Sequence, residues 1–374
     1  MILLEHGPGG APALFRGARA MIRADAADQV ADALAALDAA RVAGHWLAGY
    51  ASYELGYALE PRLLARMPEG RGLPLLHFGV YDGPEEAGAV LAQAEAEAGE
   101  AGLSAARPGW TAANHAAAIT QILDYIAAGD IYQANLTMAM EAEARGTALG
   151  LYGALRARQP VAHGAIVALP EAPVILSRSP ELFFATDASG TIETRPMKGT
   201  APRASNPAHD AALRMELQNS VKNRAENLMI VDLLRNDISR LCRPGTVKVP
   251  QLYAIESFAT VHQMVSHVVG QLQPGTQPSQ IFRALFPCGS ITGAPKIRAM
   301  EIIRELETGP RDIYCGAIGW MGPDGASSFN VAIRTITLND GRARFGVGGG
   351  IVTDSTAAGE YEEALWKARF ATLI

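Results

Sequence analysis

Residues 179 to 200 read SPELFFATDASGTIETRPMKGT, and residues 220 to 241 read SVKNRAENLMIVDLLRNDISRL. The first stretch holds two β-rich runs, 181 to 186 and 191 to 194, around the turn Ala188-Ser189-Gly190, which predicts a hairpin. Just beyond it, Pro196 stiffens the chain ahead of Lys198-Gly199, so that lysine is placed on a stiff turn and not on a solvated helix face. The second stretch continues a longer one, 209 to 241. Its Leu213, Leu217, Val221, Leu228, Val231, Leu234 and Ile238 share one stripe, the pattern of a helix of roughly eight or nine turns, broken once at most. Its acids Glu216, Glu226 and Asp232 are then free for a second face. Hairpin and long helix follow one another without a βαβ rhythm, which sets the class as α+β and not a doubly wound sheet.

Upstream, residues 22 to 44 place Val30, Leu34 and Leu37 at helical spacing and close on Gly44, predicting an amphipathic helix. Residues 45 to 57 suit a strand and turn whose glycines let other backbone come close. The Ala, Glu and Gly-rich run from 84 to 108 predicts a peripheral connector between an N-terminal region, 1–108, and the remainder, 109–374, the two expected to form one continuous unit. Thr111 is a candidate cap for a helix carrying Ile119, Ile122, Leu123 and Ile126. Strands are expected at 164 to 169, 174 to 177, 247 to 252, 257 to 272, 314 to 321 and 327 to 338, and helices after Pro295 and from about Ala357.

With 374 residues, 49% hydrophobic and 19% charged, the chain is globular and able to bury a large core. A net charge of -6 with scattered lysines and arginines gives no basic stripe for nucleic acid or an anionic membrane. Three cysteines without CxxC spacing suggest neither disulfides nor a zinc site and fit a reducing cytoplasm. No run of about 20 apolar residues marks a membrane span, and no secretion signal is readable.

Two glycine-rich stretches invite a nucleotide reading and fail it. Gly346 to Ile351 puts Ile351 where GxGxxG needs its third glycine, and Gly289 to Ala294 misses GxxxxGK at its sixth position. Gly348, Gly349 and Gly350 either let a ligand approach backbone N–H groups or simply mark a tight strand exit. Glu226 and Glu363 are the ligand type a hard cation wants. Each is also four residues from a lysine, Lys222 and Lys367, the spacing of an exposed ion pair.

The blocks SRSPELFF (177 to 184), TRPMKGTAPR (194 to 203), NSVKNRAENLMIVDLLRNDISRLC (219 to 242), FPCGSITGAPKIRAMEIIRELE (286 to 307) and GVGGGIVTDSTAAGEYEEALWKA (346 to 368) resemble, in order and spacing, the chorismate-utilising enzymes. That family includes anthranilate synthase component I, aminodeoxychorismate synthase component I and the isochorismate and salicylate synthases. The resemblance covers roughly residues 110 to 370. It implies a large layered β-sandwich of mainly antiparallel sheets flanked by helices. Within it, Pro196-Met197-Lys198-Gly199-Thr200 is similar to the PIKGT of the aminodeoxychorismate branch and not to the PIAGT of anthranilate synthases. The branch implies a transaminase-type amination of chorismate, Lys198 adding at C2 before ammonia enters at C4. An ordinary lysine is neutral only about 0.04% of the time at pH 7, so Lys198 is expected to be desolvated or set near other cations.

Carried over position by position, the resemblance makes Glu181 the general acid for the departing C4 hydroxyl. It makes Glu226 and Glu363 ligands of Mg2+, with Glu360 as a further acid beside them. Arg334, Tyr314 and the backbone of Gly348 to Gly350 would bind the enolpyruvyl carboxylate, Thr292 would border the ring, and Lys367 would orient substrate or metal ligands. His262 matches a ring-lining histidine that would assist the chemistry, with a structural strand histidine as the alternative. Cys288 stands where the family usually has glycine. No glutaminase elbow is visible, so the implied partners are chorismate, ammonia and a separate glutamine amidotransferase subunit, and no fused lyase is expected after the last helix. Anthranilate or isochorismate formation, or a silent chorismate-binding subunit, are the alternatives.

Overall fold

The computed structural model describes residues 1–258 and 261–373. The expected helix over 22 to 44 is shorter: Ala20–Ala24 is a strand, and α1 spans Val30–Val42 with Val30, Leu34 and Leu37 buried. β1 (Trp46–Ala51) follows, and Gly49 lies so close to its neighbour strand that a Cβ there would sit 2.6 Å from Phe78 Cα. The stretch expected as a peripheral connector contributes to the interior instead. Its helix, Gly88–Glu97, buries Val90 and Ala94 in one of the hydrophobic clusters.

α2 (Ala112–Ala127) begins where Thr111 caps it, the hydroxyl accepting from Asn114 N at 3.2 Å. β2 (Gln133–Arg145) is followed, after the helix Ala148–Arg158 and the strand His163–Val167, by β3 (Val174–Ser179), β4 (Leu182–Thr186), β5 (Thr191–Thr194) and β6 (Met197–Pro202). β4 and β5 form the hairpin read from the sequence, pairing Ala185 with Glu193. The long helical run is two helices, α3 (Pro207–Asn219) and α4 (Val221–Ser239). Ser220 separates them with extended backbone, and its hydroxyl accepts from Asn223 N to cap the second. β7 (Val261–Gln271) lies inside the strand expected over 257 to 272; residues 259 and 260 of that expectation lie outside the described residues. α5 (Lys296–Leu306) starts behind Pro295 as expected.

The remaining strands are β8 (Ala317–Met321), β9 (Ser327–Val331), β10 (Thr335–Asn339) and β11 (Arg342–Ile351), and α6 (Ala357–Ala368) follows. The single strand expected over 327 to 338 is therefore two, β9 and β10, in different sheets.

Among the described residues, one sheet has eleven strands and includes β2-β11-β10-β3 as neighbours; the other has ten and includes β6-β7-β5-β4-β9-β8-β1. Pairings are antiparallel throughout these runs. N-terminal strands lie within both sheets, Ile2–Leu4 beside His163–Val167 and β1 beside β8, so position 108 divides the sequence but not the sheets. Ile2, Phe15, Ala165 and Ile175 of one sheet pack with Ala48, Tyr50, Ile318 and Trp320 of the other. A second cluster joins α2, α5 and α6 to the eleven-stranded sheet, and a third joins α1 and α4 to the ten-stranded one. The result is the expected sandwich of antiparallel sheets with helices on both outer faces.

Candidate active site

Two chain segments cross from one sheet to the other side by side. β3 leads into β4 through 180 and 181, and β9 leads into β10 through 332 to 334. Val331 N donates to the Glu181 carbonyl at 3.0 Å, and Arg178 N donates to the Arg334 carbonyl at 2.9 Å. Regular pairing stops there, and Arg334 takes φ 50, a left-handed conformation that costs a non-glycine residue energy and is held by its surroundings. The crossing thus brings together Glu181 and Arg334, which are 153 positions apart by number (334 minus 181).

The Glu181 side chain is buried, 5% exposed, and its Oε1 accepts from Ser290 Oγ at 2.8 Å. Burial raises the carboxyl pKa above the usual range, opposed by the Ser290 hydrogen bond and by the charges of Lys198 and Arg334. A carboxyl that resists ionisation is suited to giving up a proton. Sequence reading missed Ser290: it stands in the quoted SITGAPK block, but nothing local reveals a partner more than a hundred residues upstream.

Lys198 sits in a bulge. Met197 faces Val265 and Thr200 faces Gln263, so β6 spends one more residue than β7 between these pairs. Gly199 supplies the φ of 91 that the irregularity needs, and a Cβ there would press on Asn223 of α4 at 3.0 Å. A bulge re-aims its side chain, and Lys198 is half-buried within electrostatic reach of Glu181, Lys367, Glu226 and Cys288. Desolvation is the largest influence and lowers its pKa; Lys367 adds to the lowering, while Glu181, Glu226 and Cys288 oppose it.

β10 pairs with β11 only from Arg342 to Phe345, whereas β2 pairs with β11 as far as Ile351. Past Phe345 the edge of β11 nearer Arg334 carries no strand partner among the described residues, which leaves backbone N–H groups there open to a ligand. Gly349 faces α6: a Cβ there would lie 2.9 Å from Glu360 Oε2, 3.6 Å from Glu363 Oε1 and 3.7 Å from Lys367 Nζ. Lys367 Nζ donates to the Gly348 carbonyl at 2.8 Å and pairs with Glu363 Oε1 at 2.7 Å. The Glu360 carboxyl is raised by burial and by Glu363, with Ser355, Lys367 and Lys222 acting the other way. Lys222, whose charge reaches Glu360, stands one turn before Glu226 on α4. No three acidic, histidine or cysteine side chains converge as a complete ligand set among the described residues. The donors are nonetheless all carboxylates, the hard oxygen ligands suited to Mg2+, which keeps waters and substrate oxygens for its other positions.

Tyr314 is buried, and its ring lies against the α-carbon of Gly346, leaving no room for a side chain at 346. Thr292 is fully buried, its hydroxyl donating to the Cys288 carbonyl at 2.8 Å. Cys288 Sγ lies 3.2 Å from Ser290 Oγ, and burial pushes the thiol pKa up to about 12, which leaves it an inert neighbour of Glu181. His262 is buried with both ring nitrogens engaged, Nδ1 with Ser257 Oγ at 2.8 Å and Nε2 with Asp210 Oδ1 at 3.1 Å. These partners belong to the wall of α3 and the neighbouring strand. A cavity of about 660 Å3 lies on the Tyr314 and Gly346 side and is lined by residues including Thr137, Glu307, Asp312 and Arg344, and not by Lys198 or Glu181.

Lys198, Glu181 and Arg334 thus share one electrostatic neighbourhood, with Glu360, Glu363 and Lys367 of α6 beside Gly349. Residues 1–372 match the family described as chorismate binding enzyme, and the chain belongs to that family. It is 40% identical over 339 residues to an aminodeoxychorismate synthase component 1 of Klebsiella aerogenes, covering 85% of this chain and 74% of that one. It is 45% identical over 247 residues to the component 1 of Escherichia coli strain K12, covering 66% of this chain and 54% of the relative, so it spans about half of the latter. Among solved structures it is similar to anthranilate synthase component I from Streptococcus pneumoniae TIGR4, with TM-score 0.80, 27% identity and coverage of 96% and 91% of the two chains. No helix among the described residues is long and apolar enough to cross a membrane.

Proposed function

We propose that this protein aminates chorismate to 4-amino-4-deoxychorismate, with Lys198 as nucleophile and Glu181 as acid. The observation that carries the reading is the bulge that sets a desolvated Lys198 beside the buried Glu181. The neutral Lys198 Nζ adds at C2 of the ring, the C1=C2 and C5=C6 double bonds shift to C1=C6 and C4=C5, and the C4–O bond breaks, the hydroxyl departing as water with the proton of Glu181, which the new C2 ammonium then returns. Ammonia then attacks C4, both double bonds shift back, and the C2–Nζ bond breaks to release the lysine, which takes up the proton the new C4 amine gives up. Two displacements retain the configuration at C4, and chorismate plus ammonia balance product plus water. Arg334 and Tyr314, with backbone from Gly348 to Gly350, hold the enolpyruvyl carboxylate, for which a planar guanidinium is apt. Thr292 borders the ring, and Lys367 fixes Glu363 and the Gly348 carbonyl. Glu226 and Glu363, with Glu360 beside them, would hold Mg2+, whose charge neutralises the ring carboxylate when bound. Ammonia comes from a glutamine amidotransferase subunit or from free ammonium, in the cytoplasm.

Incubation with chorismate, Mg2+ and ammonium at alkaline pH, followed by chromatography and mass analysis, tests the reading. The expected product is 4-amino-4-deoxychorismate. Anthranilate, isochorismate or unconsumed chorismate would overturn it.

A further inference from the structure

The Glu181 carboxyl is gripped at one oxygen. Oε1 accepts from Ser290 Oγ at 2.8 Å, and Oε2 has no hydrogen bond among the described residues. Ser290 stands in a short turn, residues 288 to 292, that closes on itself. Thr292 N donates to the Gly289 carbonyl at 3.2 Å, and Thr292 Oγ1 donates to the Cys288 carbonyl at 2.8 Å. α4 presses on this turn from outside, because Gly289 carries no Cβ to collide with Leu233. Cys288 and Ser290 are 2% and 1% exposed, and the turn sets Cys288 Sγ 3.2 Å from Ser290 Oγ. Cys288, Ser290 and Glu181 therefore form one chain of contacts sealed from water.

A serine hydroxyl has one proton to give. Ser290 gives it to Glu181 Oε1, so in the contact with Cys288 the serine oxygen accepts and the thiol donates. Burial keeps the thiol protonated and able to do so. The opposite order would put the Glu181 proton on Oε1, bonded into Ser290, and leave the serine donating to sulfur, a weak acceptor. We propose that Cys288 is a positioning residue for the acid step: its thiol donates to Ser290 Oγ, which fixes the serine as donor to Glu181 Oε1 and confines the transferable proton to Oε2. The inference rests on Glu181 as the acid of the amination proposed above. In that step the Oε2–H bond breaks, its electron pair stays on Oε2, and the proton leaves with the C4 hydroxyl as water. Ser290 keeps its own proton and stabilises the carboxylate that remains. The other groups facing Glu181 are Lys198 of β6, Arg334 between β9 and β10, and Cys315 ahead of β8, a thiol that burial also holds neutral. Among the described residues Ser290 is the side chain that hydrogen-bonds the carboxyl, so its orientation falls to the serine and the thiol behind it.

Two measurements test it, one without substrate. In the ligand-free protein the S–H stretch of Cys288, identified by its loss in Cys288→Ala, is expected to move to higher frequency in Ser290→Ala, where the thiol has lost its acceptor. A band that stays in place overturns the proposal whatever the enzyme makes. With chorismate, Cys288→Ala is expected to lower kcat about 3- to 10-fold with KM within about two-fold, and Ser290→Ala to lower it about 10- to 100-fold. The double variant is expected to be no slower than Ser290→Ala alone, because Cys288 acts through the serine. The descending limb of kcat/KM against pH, where Glu181 gives up its proton, is expected to shift to higher pH in Ser290→Ala and by a smaller step in Cys288→Ala, since a donor to the ionised carboxylate is lost or weakened. Losses that simply multiply in the double variant, with an unshifted limb in Cys288→Ala, make Cys288 a packing residue and overturn the assignment. A band that moves as expected in a parent that does not consume chorismate leaves the thiol–serine bond standing, while the functional reading falls and takes the acid step with it.

Discussion

Replacing Glu181 by glutamine separates catalysis from stability in opposite directions. The side chain is 5% exposed and its Oε1 accepts a hydrogen bond from Ser290. Glutamine keeps that acceptor and the volume but has no proton to release. Removing a positioned acid costs about 100- to 10,000-fold in rate, or roughly 2.7 to 5.5 kcal/mol of barrier at 1.36 kcal/mol per decade. Stability moves the other way. The folded-state pKa of Glu181 is raised, mainly by burial, so the protonated form stabilises the fold at low pH and that advantage is lost as pH rises through the folded value. Above the unfolded value of about 4.3, the parent therefore loses stability relative to Glu181→Gln until the folded pKa is passed, and the gap then stays constant. Product formation at saturating chorismate gives the rate, and melting temperatures of both proteins from pH 4 to 9 give the stability difference. A Glu181→Gln protein with kcat within a few-fold of the parent would refute the acid role. One that melts well below the parent at pH 8 would refute the argument that the ionised carboxyl is the costly form there.

The Lys198 amine should be modified by an amine-selective reagent at lower pH than an ordinary lysine, because desolvation lowers its pKa; turnover should climb with pH through the same range, and a titration coinciding with that of surface lysines would contradict the assignment. Lys198→Ala should form no covalent adduct by mass analysis and no 4-amino-4-deoxychorismate, and retained product would remove its nucleophilic role. Gly349→Ala should raise the Mg2+ concentration needed for half-activation with little change in melting temperature, since its Cβ displaces Glu360 Oε2, which Ser355 holds through the other oxygen at 2.6 Å; an unchanged Mg2+ requirement would place the ion elsewhere.

Much of the framework was legible because it is local. The 181 to 194 hairpin, the Thr111 cap and the helix behind Pro295 all rest on turn and capping chemistry within a few residues. The long stripe from 209 to 241 allowed one break but not its place at Ser220, since a hydrophobic period survives a change of helix axis while the capping hydroxyl is one serine among many. The residues of the blocks were readable, but their partners were not. Ser290 meets Glu181, and Gln133 meets Gly350, only after strands far apart in sequence have paired. For His262 the strand position was legible, whereas the Asp210 and Ser257 contacts that occupy its ring depend on α3 packing beside the strand.

Arg334 belongs to neither sheet. Its guanidinium is carried on a link whose two ends, at Val331 and Thr335, are fixed in separate layers of the sandwich. Any small slide of one layer over the other is therefore delivered to that side chain as a change of aim, in the way a coupling rod turns relative travel into rotation. Phe329 and Ile336, fully buried in different clusters, set the seating of the two ends. With Arg334 in the binding role proposed above, substitution at such interior positions alters substrate affinity without touching the ligand.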